Sequence, residues 1–267
     1  MKQYNNYTAD DFTFVVCAYQ ECEYLEEAIR SVKEQTISAK ILISTSTPND
    51  FIQGIADRYD IPVCVNRDGG QIKDYNFAMA LPETPLMMLM HQDEILAPAF
   101  LEKVLDALNH AKDPIIAFTN YLEMHNDEVD KKPSTVRIKR MLLWPSLVHA
   151  WQGTWIGKRG IQLLGNPITH PTVVCVKDKM PEPVFLEKYK ASMDWDLWER
   201  LSRQKGSFVY VKDVLLYHRM NDLNQTAKLL KTTNARYDDE YEIFCRFWPK
   251  WIAKLLMKFY SGAAKYY

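Results

Sequence analysis

The chain has 267 residues, 47% of them hydrophobic and 25% charged, enough to bury a large core in one big domain or in one domain plus an extension. Its formal net charge of −1 argues against a nucleic-acid binder, because no basic excess is available to neutralise a phosphate backbone. No run approaches the roughly 20 apolar residues of a bilayer span, the start Met1–Asn6 lacks the apolar core of a signal peptide, and the five scattered cysteines (Cys17, Cys22, Cys64, Cys175, Cys245) contain no C-x-x-C pair. These features read as a soluble cytoplasmic protein with reduced thiols, attached at most peripherally at the inner face of the membrane.

In chain order, Phe12 to Ala18 is an apolar, β-branched run that reads as a strand, and Leu25 to Val32 places apolar residues at helical spacing. Strand Ile41–Ile43, helix Phe51–Tyr59 and strand Ile61–Val65 follow. Asp68-Gly69-Gly70 reads as a turn and Asp74 to Leu81 as a helix. Next come an apolar strand over Leu86–Met90, a helix from Ala99 to Ala111 and a strand over Ile115–Thr119. Residues 120–165 are less regular and rich in Trp, Lys and Arg, and read as loops and short helices over the site. A strand (Thr172–Val176), a helix carrying Asp194 to Leu201 and a strand (Phe208–Val211, or on to Tyr217) complete the main body. Alternation of this kind predicts an α/β fold, a mainly parallel Rossmann-like sheet with helices on both faces. Ligands in such folds collect beyond the carboxyl ends of the strands.

The most informative stretch is the apolar strand Leu86-Met87-Met88-Leu89-Met90, which ends abruptly in His91-Gln92-Asp93-Glu94. Acids where a buried strand leaves a sheet are costly unless a cation or hydrogen bonds satisfy them. They suit a divalent metal holding a phosphorylated substrate, and equally the positive end of a following helix.

Taken in order, Val15-Val16-Cys17-Ala18-Tyr19-Gln20-Glu21, Ser31-Val32-Lys33-Glu34-Gln35-Thr36, Gly70 to Asn76, His91-Gln92-Asp93-Glu94 and Asp194-Trp195-Asp196-Leu197-Trp198 resemble the motifs of an inverting glycosyltransferase of family 2 with the GT-A fold. The resemblance spans about residues 11–227. It implies a GT-A domain over 1–227, followed by a C-terminal helical extension over 228–267. It also implies a hexosyl- or deoxyhexosyltransferase that takes a nucleotide diphosphate sugar of UDP or dTDP type, uses Mn²⁺ or Mg²⁺ and acts on a glycan or lipid-linked acceptor.

By the same resemblance, Asp93 ligates the metal, Glu94 assists directly or through water, and Asp194 is the general base that takes the acceptor proton. Ala18, Tyr19 and Glu21 belong to the nucleotide loop. His91 stands where the family has its first metal acid, so it either ligates, with Mn²⁺ the better match, or hydrogen-bonds the sugar or ribose together with Gln92. Family acids at the end of the second strand are replaced by Ser44-Thr45-Ser46-Thr47, leaving Thr45 as an uncharged hydroxyl for the base. Lys73 would meet the diphosphate and Asn76 the ribose or sugar, although a surface lysine and a helix-face asparagine read as well.

The resemblance also puts Thr169 and His170, in Asn166-Pro167-Ile168-Thr169-His170-Pro171-Thr172, on the acceptor side, although a rigid Pro-bounded turn reads equally well, and it offers the ring of Trp195 there for stacking on a sugar. Asp196, two helical positions from Asp194, points roughly 200° away and does not share the site. At the end of the last strand the resemblance implies a histidine that ligates metal or phosphate, here His218, with Arg219 as a phosphate clamp, while the common Y-R-x-H order would instead select Asn221.

The tail differs in character. After Glu242 it carries no acid, while Arg246, Lys250, Lys254, Lys258 and Lys265 are basic. Trp251-Ile252, Leu255-Leu256 and Phe259-Tyr260 recur every four residues, the pattern of an interfacial membrane helix, and equally of a helix that caps the domain or forms a dimer contact. Two rival readings remain: a nucleotidyltransferase, disfavoured because Ala18-Tyr19-Gln20-Glu21-Cys22 lacks a Gly- and basic-rich loop, and a non-catalytic GT-A-like glycan or partner-binding protein.

Overall fold

The computed structural model describes residues 2–125, 128–130, 134–220 and 235–263, with the backbone alone for 259–263. Strand–helix alternation opens the fold: β1 (Phe12–Ala18), α1 (Leu25–Lys33), β2 (Lys40–Thr45), α2 (Asp50–Tyr59), β3 (Val63–Val65), α3 (Gln71–Ala80), β4 (Leu86–His91). β1 pairs in parallel with both β2 and β4, and β2 with β3. β5 (Glu94–Leu96), α4 (Phe100–His110), β6 (Pro114–His125) and β7 (Glu128–Val129) follow, then α5 (Ser134–Leu142), α6 (Trp155–Lys158) and β8 (Val173–Val176). The remainder is α7 (Met193–Ser202), β9 (Ser207–Arg219), α8 (Ala235–Phe247) and α9 (Lys250–Ala263). One sheet runs β3-β2-β1-β4-β8-β6-β9-β5, with β7 on β6, and β8 lies antiparallel between β4 and β6.

The apolar run of β4 is continuous because both faces of the sheet are covered. Phe14, Val16, Met88 and Met90 face a core shared with α1, α2 and α4, while Val15, Met87 and Leu89 face one shared with α3, α7 and α8. The expected α/β layout and its helices on both faces are present. α3 begins at Gln71, earlier than the pattern suggested, because Gly69 and Gly70 take φ of 61° and 99° and turn the chain directly into the helix.

β6 runs well past Thr119, into the segment expected to be irregular. Its polar residues are partnered, which the alternation of apolar residues cannot reveal: Asn120 Nδ2 donates to Lys212 O at 2.8 Å, and Thr135 Oγ1 donates to Glu123 Oε1 at 2.6 Å. β6 and β9 pair in parallel over most of their length, so β9 extends to Arg219 and holds His218 within the strand.

The C-terminal helices pack onto this body. Phe244 of α8 meets Trp195 edge-on at 4.9 Å between ring centroids, and Ala253 and Met257 of α9 are buried. Residues 221–234, which contain Asn221 and the expected domain boundary, lie outside the described residues, as does Lys265. All five cysteines are free. Among the described residues, no helix is long and apolar enough to cross a membrane.

Candidate active site

The acidic corner is built by two strands meeting. β4 ends at His91, Gln92 and Asp93 turn, and Glu94 starts β5, in register with His218 of β9. The acids therefore do not open a helix; α4 begins only at Phe100. Glu94 is fully buried, and its Oε1 accepts from His218 Nδ1 at 2.7 Å, with His91 Nδ1 3.7 Å away. Ligand-type atoms of His91, Asp93 and Glu94 all lie within 4.8 Å of one another.

Glu94 Oε2 is buried and has no hydrogen-bond partner among the described residues. A buried carboxylate oxygen left this way is expensive, at about 1–3 kcal/mol or more, and a cation placed there would offset the cost. The donor set of two carboxylates and imidazole fits a divalent ion, Mn²⁺ better than Mg²⁺. Burial alone would lower the His218 pKa, but the Glu94 carboxylate outweighs it and holds the imidazole above its ordinary value.

Beyond the ends of β1, β2 and β3 lie the residues expected to meet the nucleotide. The Tyr19 N–H donates to Gln92 Oε1 at 2.8 Å and Gln92 Nε2 donates to Tyr19 O at 3.1 Å. Gln92 thus clamps the loop after β1, using the amide expected to meet the donor. Gln20 has φ 55°, and its N–H donates to Thr47 Oγ1 at 2.6 Å, tying this loop to the one after β2. Ala18 is buried beneath the loop, while Tyr19 and Glu21 are exposed on it. Thr45 is buried, and its hydroxyl accepts from Thr47 N at 3.0 Å, so it shapes the turn instead of facing a base.

A carboxylate of α3 does stand beside the end of β2. Asp74 Oδ2 accepts from Ser46 Oγ at 2.8 Å and Oδ1 from Asn66 Nδ2 at 2.7 Å, and no Lys or Arg pairs with it among the described residues. Asp74 also adds to the rise of the Cys17 thiol, which burial pushes up to about 12. Lys73 is exposed and lines an open cavity of about 340 Å³ with Gly69, Gly70, Gln71, Glu187 and Lys190.

Asp194 lies in the first turn of α7. Asn166 Nδ2 donates to its Oδ2 at 2.9 Å and the Trp195 N–H to its Oδ1 at 2.7 Å. Burial raises its pKa above the usual carboxylate range, and those donors, with Lys139 and Arg236, restrain the rise. A carboxylate made more basic yet held in place suits proton abstraction.

Two residues outside the sequence-based expectations lie between Asp194 and the acidic corner. The Tyr75 hydroxyl lies 3.3 Å from His91 Nε2, and burial raises its pKa, with smaller contributions from the carboxylates of Asp93 and Asp194. Lys139 of α5 lies within the field of Asp194 and of His218, and its Nζ donates to Thr169 Oγ1 at 2.9 Å. His170 packs among the rings of Tyr75, His91, Phe185 and Trp198, and burial lowers its pKa to about 3, so its imidazole is neutral.

Three expected site residues serve the fold instead. Asn76 spends its amide on the Phe185 backbone, donating to O at 2.9 Å and accepting from N at 2.8 Å. Trp195 is only 1% exposed, packed against Phe244 and Phe247, so it offers no face to a sugar. Arg219 is 3% exposed, pairs with Glu27 Oε2 at 2.7 Å and lies 3.9 Å from the Tyr24 ring centroid, so it anchors β9 to α1 and is no phosphate clamp. Asp196 does turn away from Asp194: it is fully buried and pairs with Arg200 and Arg246 at 2.8 Å each.

The family model described as "Glycosyl transferase family 2" matches residues 13–173. The chain is 23% identical over 255 residues to an "uncharacterized glycosyltransferase" of Haemophilus influenzae, covering 84% of this chain and 72% of that protein. It is 22% identical over 214 residues to the amylovoran biosynthesis glycosyltransferase AmsE of Erwinia amylovora, covering 77% and 74%. Among solved structures, residues 1–349 of S. aureus TarS in complex with UDP-GlcNAc superpose with TM-score 0.62 at 13% identity, over 92% of this chain and 70% of that one. A longer TarS structure is matched over 38% of its own length. Glucosyl-3-phosphoglycerate synthase of Mycobacterium tuberculosis, in complex with Mn²⁺, UDP and phosphoglyceric acid, superposes with TM-score 0.53 at 12% identity, over 82% and 75%. These likenesses establish the GT-A fold.

Proposed function

The chain belongs to glycosyl transferase family 2, and on that premise we propose that it moves a hexosyl or deoxyhexosyl group, with inversion, from a UDP- or dTDP-linked donor to a hydroxyl of a glycan or lipid-linked acceptor. The observation that carries this reading is a pair of carboxylate sites flanking the Tyr75–His91–His170 ring cluster. Glu94, with a buried oxygen left for a cation, lies beside Asp93, and Asp194 is raised and doubly hydrogen-bonded across Tyr75 and Lys139.

Asp194 takes the acceptor O–H proton on a carboxylate oxygen as the acceptor oxygen bonds the anomeric carbon. The bond from that carbon to the β-phosphate oxygen breaks on the opposite side, and its electron pair leaves with the nucleoside diphosphate. Asp93 and Glu94, with His91 or His218, would hold a divalent ion, which would supply positive charge to offset that developing on the leaving diphosphate. Asn166 orients the base, Gln92 holds the loop after β1, and Asp74 is placed to accept the ring N–H of a uracil or thymine. The complexes of TarS with UDP-GlcNAc and of the mycobacterial synthase with UDP and Mn²⁺ support the donor and metal classes. AmsE, a biosynthetic enzyme of amylovoran, supports a role in polysaccharide assembly.

Residues 1–227 form the catalytic unit in this reading, and 228–267 an appendage at the cytoplasmic face of the membrane. Trp251 and Leu255 are exposed on α9 beside Lys250, Lys254 and Lys258, which supports peripheral attachment. The test is nucleotide-sugar turnover with Mn²⁺ across a donor panel, in the wild type and in Asp93→Ala and Asp194→Ala. Metal-dependent release of one nucleoside diphosphate, lost in both variants, is expected. No turnover, with nucleotide binding unchanged in both variants, would favour a non-catalytic GT-A-like binding protein.

A further inference from the structure

Consecutive elements between β7 and β8 turn large apolar side chains outward. α5 exposes Ile138 (56%) and Met141 (76%), the 3-10 turn that follows exposes Trp144 (59%) and Leu147 (48%), and α6 exposes Trp155 (55%). The 3-10 turn packs against both α5 and α6, and Trp144 meets the Trp151 ring edge-on at 5.8 Å. Single exposed apolar residues are ordinary, but a connected patch of this kind marks a surface that something covers. The tail adjoins it: Trp248 Nε1 donates to Leu163 O at 2.8 Å, the Arg159 guanidinium lies 4.4 Å from the Phe247 ring centroid, and Trp251, three residues on, is 71% exposed.

Charge selects the occupant. The sequence carries no Asp or Glu between Asp130 and Asp178, and none after Glu242. Arg137 of α5 and Lys250, Lys254 and Lys258 of α9 are exposed. A second copy docking through the same face would set these cations against their equivalents, an unfavourable self-pairing. An anionic lipid surface meets them with opposite charge, and tryptophans with methionine and leucine suit the headgroup boundary.

We propose that the segment from α5 to α6 and the helix α9 form one membrane-binding face for anionic lipid headgroups, and that this face brings the candidate active site to acceptors held at the bilayer surface. α5 joins the two roles. Its outer side carries Ile138 and Met141, while its inner side reaches the acceptor-side residues through Lys139, bonded to Thr169 Oγ1, and the sheet through Arg140, whose Nε donates to Asn120 Oδ1 at 3.2 Å. Only the delivery of acceptor rests on the transferase reading; binding to lipid does not.

The experiment is flotation of the full chain, without nucleotide, on vesicles of phosphatidylglycerol and phosphatidylcholine and on vesicles of phosphatidylcholine alone. The Met141→Glu/Trp144→Glu double variant and Trp251→Glu are run beside it. These side chains are exposed, so thermal unfolding should be nearly unchanged. Binding to the anionic vesicles alone is expected, weakening as salt rises. Each variant should lower the partition by about tenfold or more, with lipid-free turnover of the nucleotide sugar retained. Three results would overturn the proposal: no binding, equal binding to both vesicle types, or binding that the double variant leaves intact. A concentration-dependent dimer that the double variant dissolves would assign the face to a second copy. Failure of turnover with intact vesicle binding would count against the transferase reading alone.

Discussion

Replacing Asn166 with Ala removes one of the two donors to the Asp194 carboxylate whose distances are 2.9 Å and 2.7 Å. A hydrogen bond to a charged group contributes about 1.5–3 kcal/mol. Asp194 is half-buried, so the lower end applies, and about 1.4 kcal/mol corresponds to tenfold in the balance between ionised and protonated base. Burial already raises this pKa, and Asn166 is among the groups restraining it. Without Asn166 the rise is larger, so the acid limb of the kcat/KM profile moves to higher pH. Below the limb Asn166→Ala should be about tenfold slower than wild type, and on the alkaline plateau the two should nearly converge.

The assay is metal-dependent release of nucleoside diphosphate across a pH series, with Asp194→Asn as control, expected to be about 10²–10⁴-fold slower. A loss independent of pH, or a limb that does not move, would refute Asn166 as the partner of a catalytic carboxylate. The linkage has a sign that can be checked separately. A carboxylate whose folded pKa lies above its unfolded value favours the fold most at pH below the unfolded value, and that contribution is lost as pH rises through the folded one. The Tm deficit of Asn166→Ala should therefore grow from acid to neutral pH.

Glu94→Gln should weaken Mn²⁺ binding by at least about tenfold, read by electron paramagnetic resonance with nucleoside diphosphate present; unchanged affinity would place the ion elsewhere. Asp74→Asn should weaken calorimetric binding of UDP and dTDP by about tenfold while sparing CDP, which has no ring N–H to donate; an equal loss for all three would mean that Asp74 does not meet the base. Arg246→Met removes a cation 2.8 Å from Asp196 and 3.1 Å from Glu199, both buried. Arg200 stays with Asp196 and Arg159 with Glu199, so the expected cost is about 2–4 kcal/mol, or a Tm fall on the order of 5–10 °C. A fall below about 2 °C would show that the remaining arginines suffice.

The strands of the first half were legible because a buried parallel sheet demands continuous apolar runs, and β1 and β4 supply them. The full reach of β6 was not legible, because Asn120 and Glu123 are kept in the strand by partners that are distant in sequence or belong to a later helix. The acidic corner shows the same division. Asp93 and Glu94 stand out as acids at the end of an apolar strand, but the choice between helix start and cation site depends on β9, which brings His218 to Glu94 across 124 residues. The register of His218 could not be read from residue order alone, and the β5 pairing defines it.

Residues whose side chains have several plausible uses were the ones misplaced. Asn76, Trp195 and Arg219 carry the right chemistry for a sugar or phosphate site, yet Phe185, Phe244 and Glu27 claim them first. Asp74 escaped notice for the converse reason: a single acid on a polar helix face carries no local signal, and its place above the ends of β1 to β3 follows from how α3 lies on the sheet.

Local periodicity and the order of five motifs therefore determined the fold class, the family and the identity of Asp93 and Asp194 as candidates, because strand burial and reaction chemistry both constrain residue type locally. Tertiary structure decided which polar groups remain available to a ligand. That choice depends on which distant partner reaches each side chain first, and no spacing within a single segment records it.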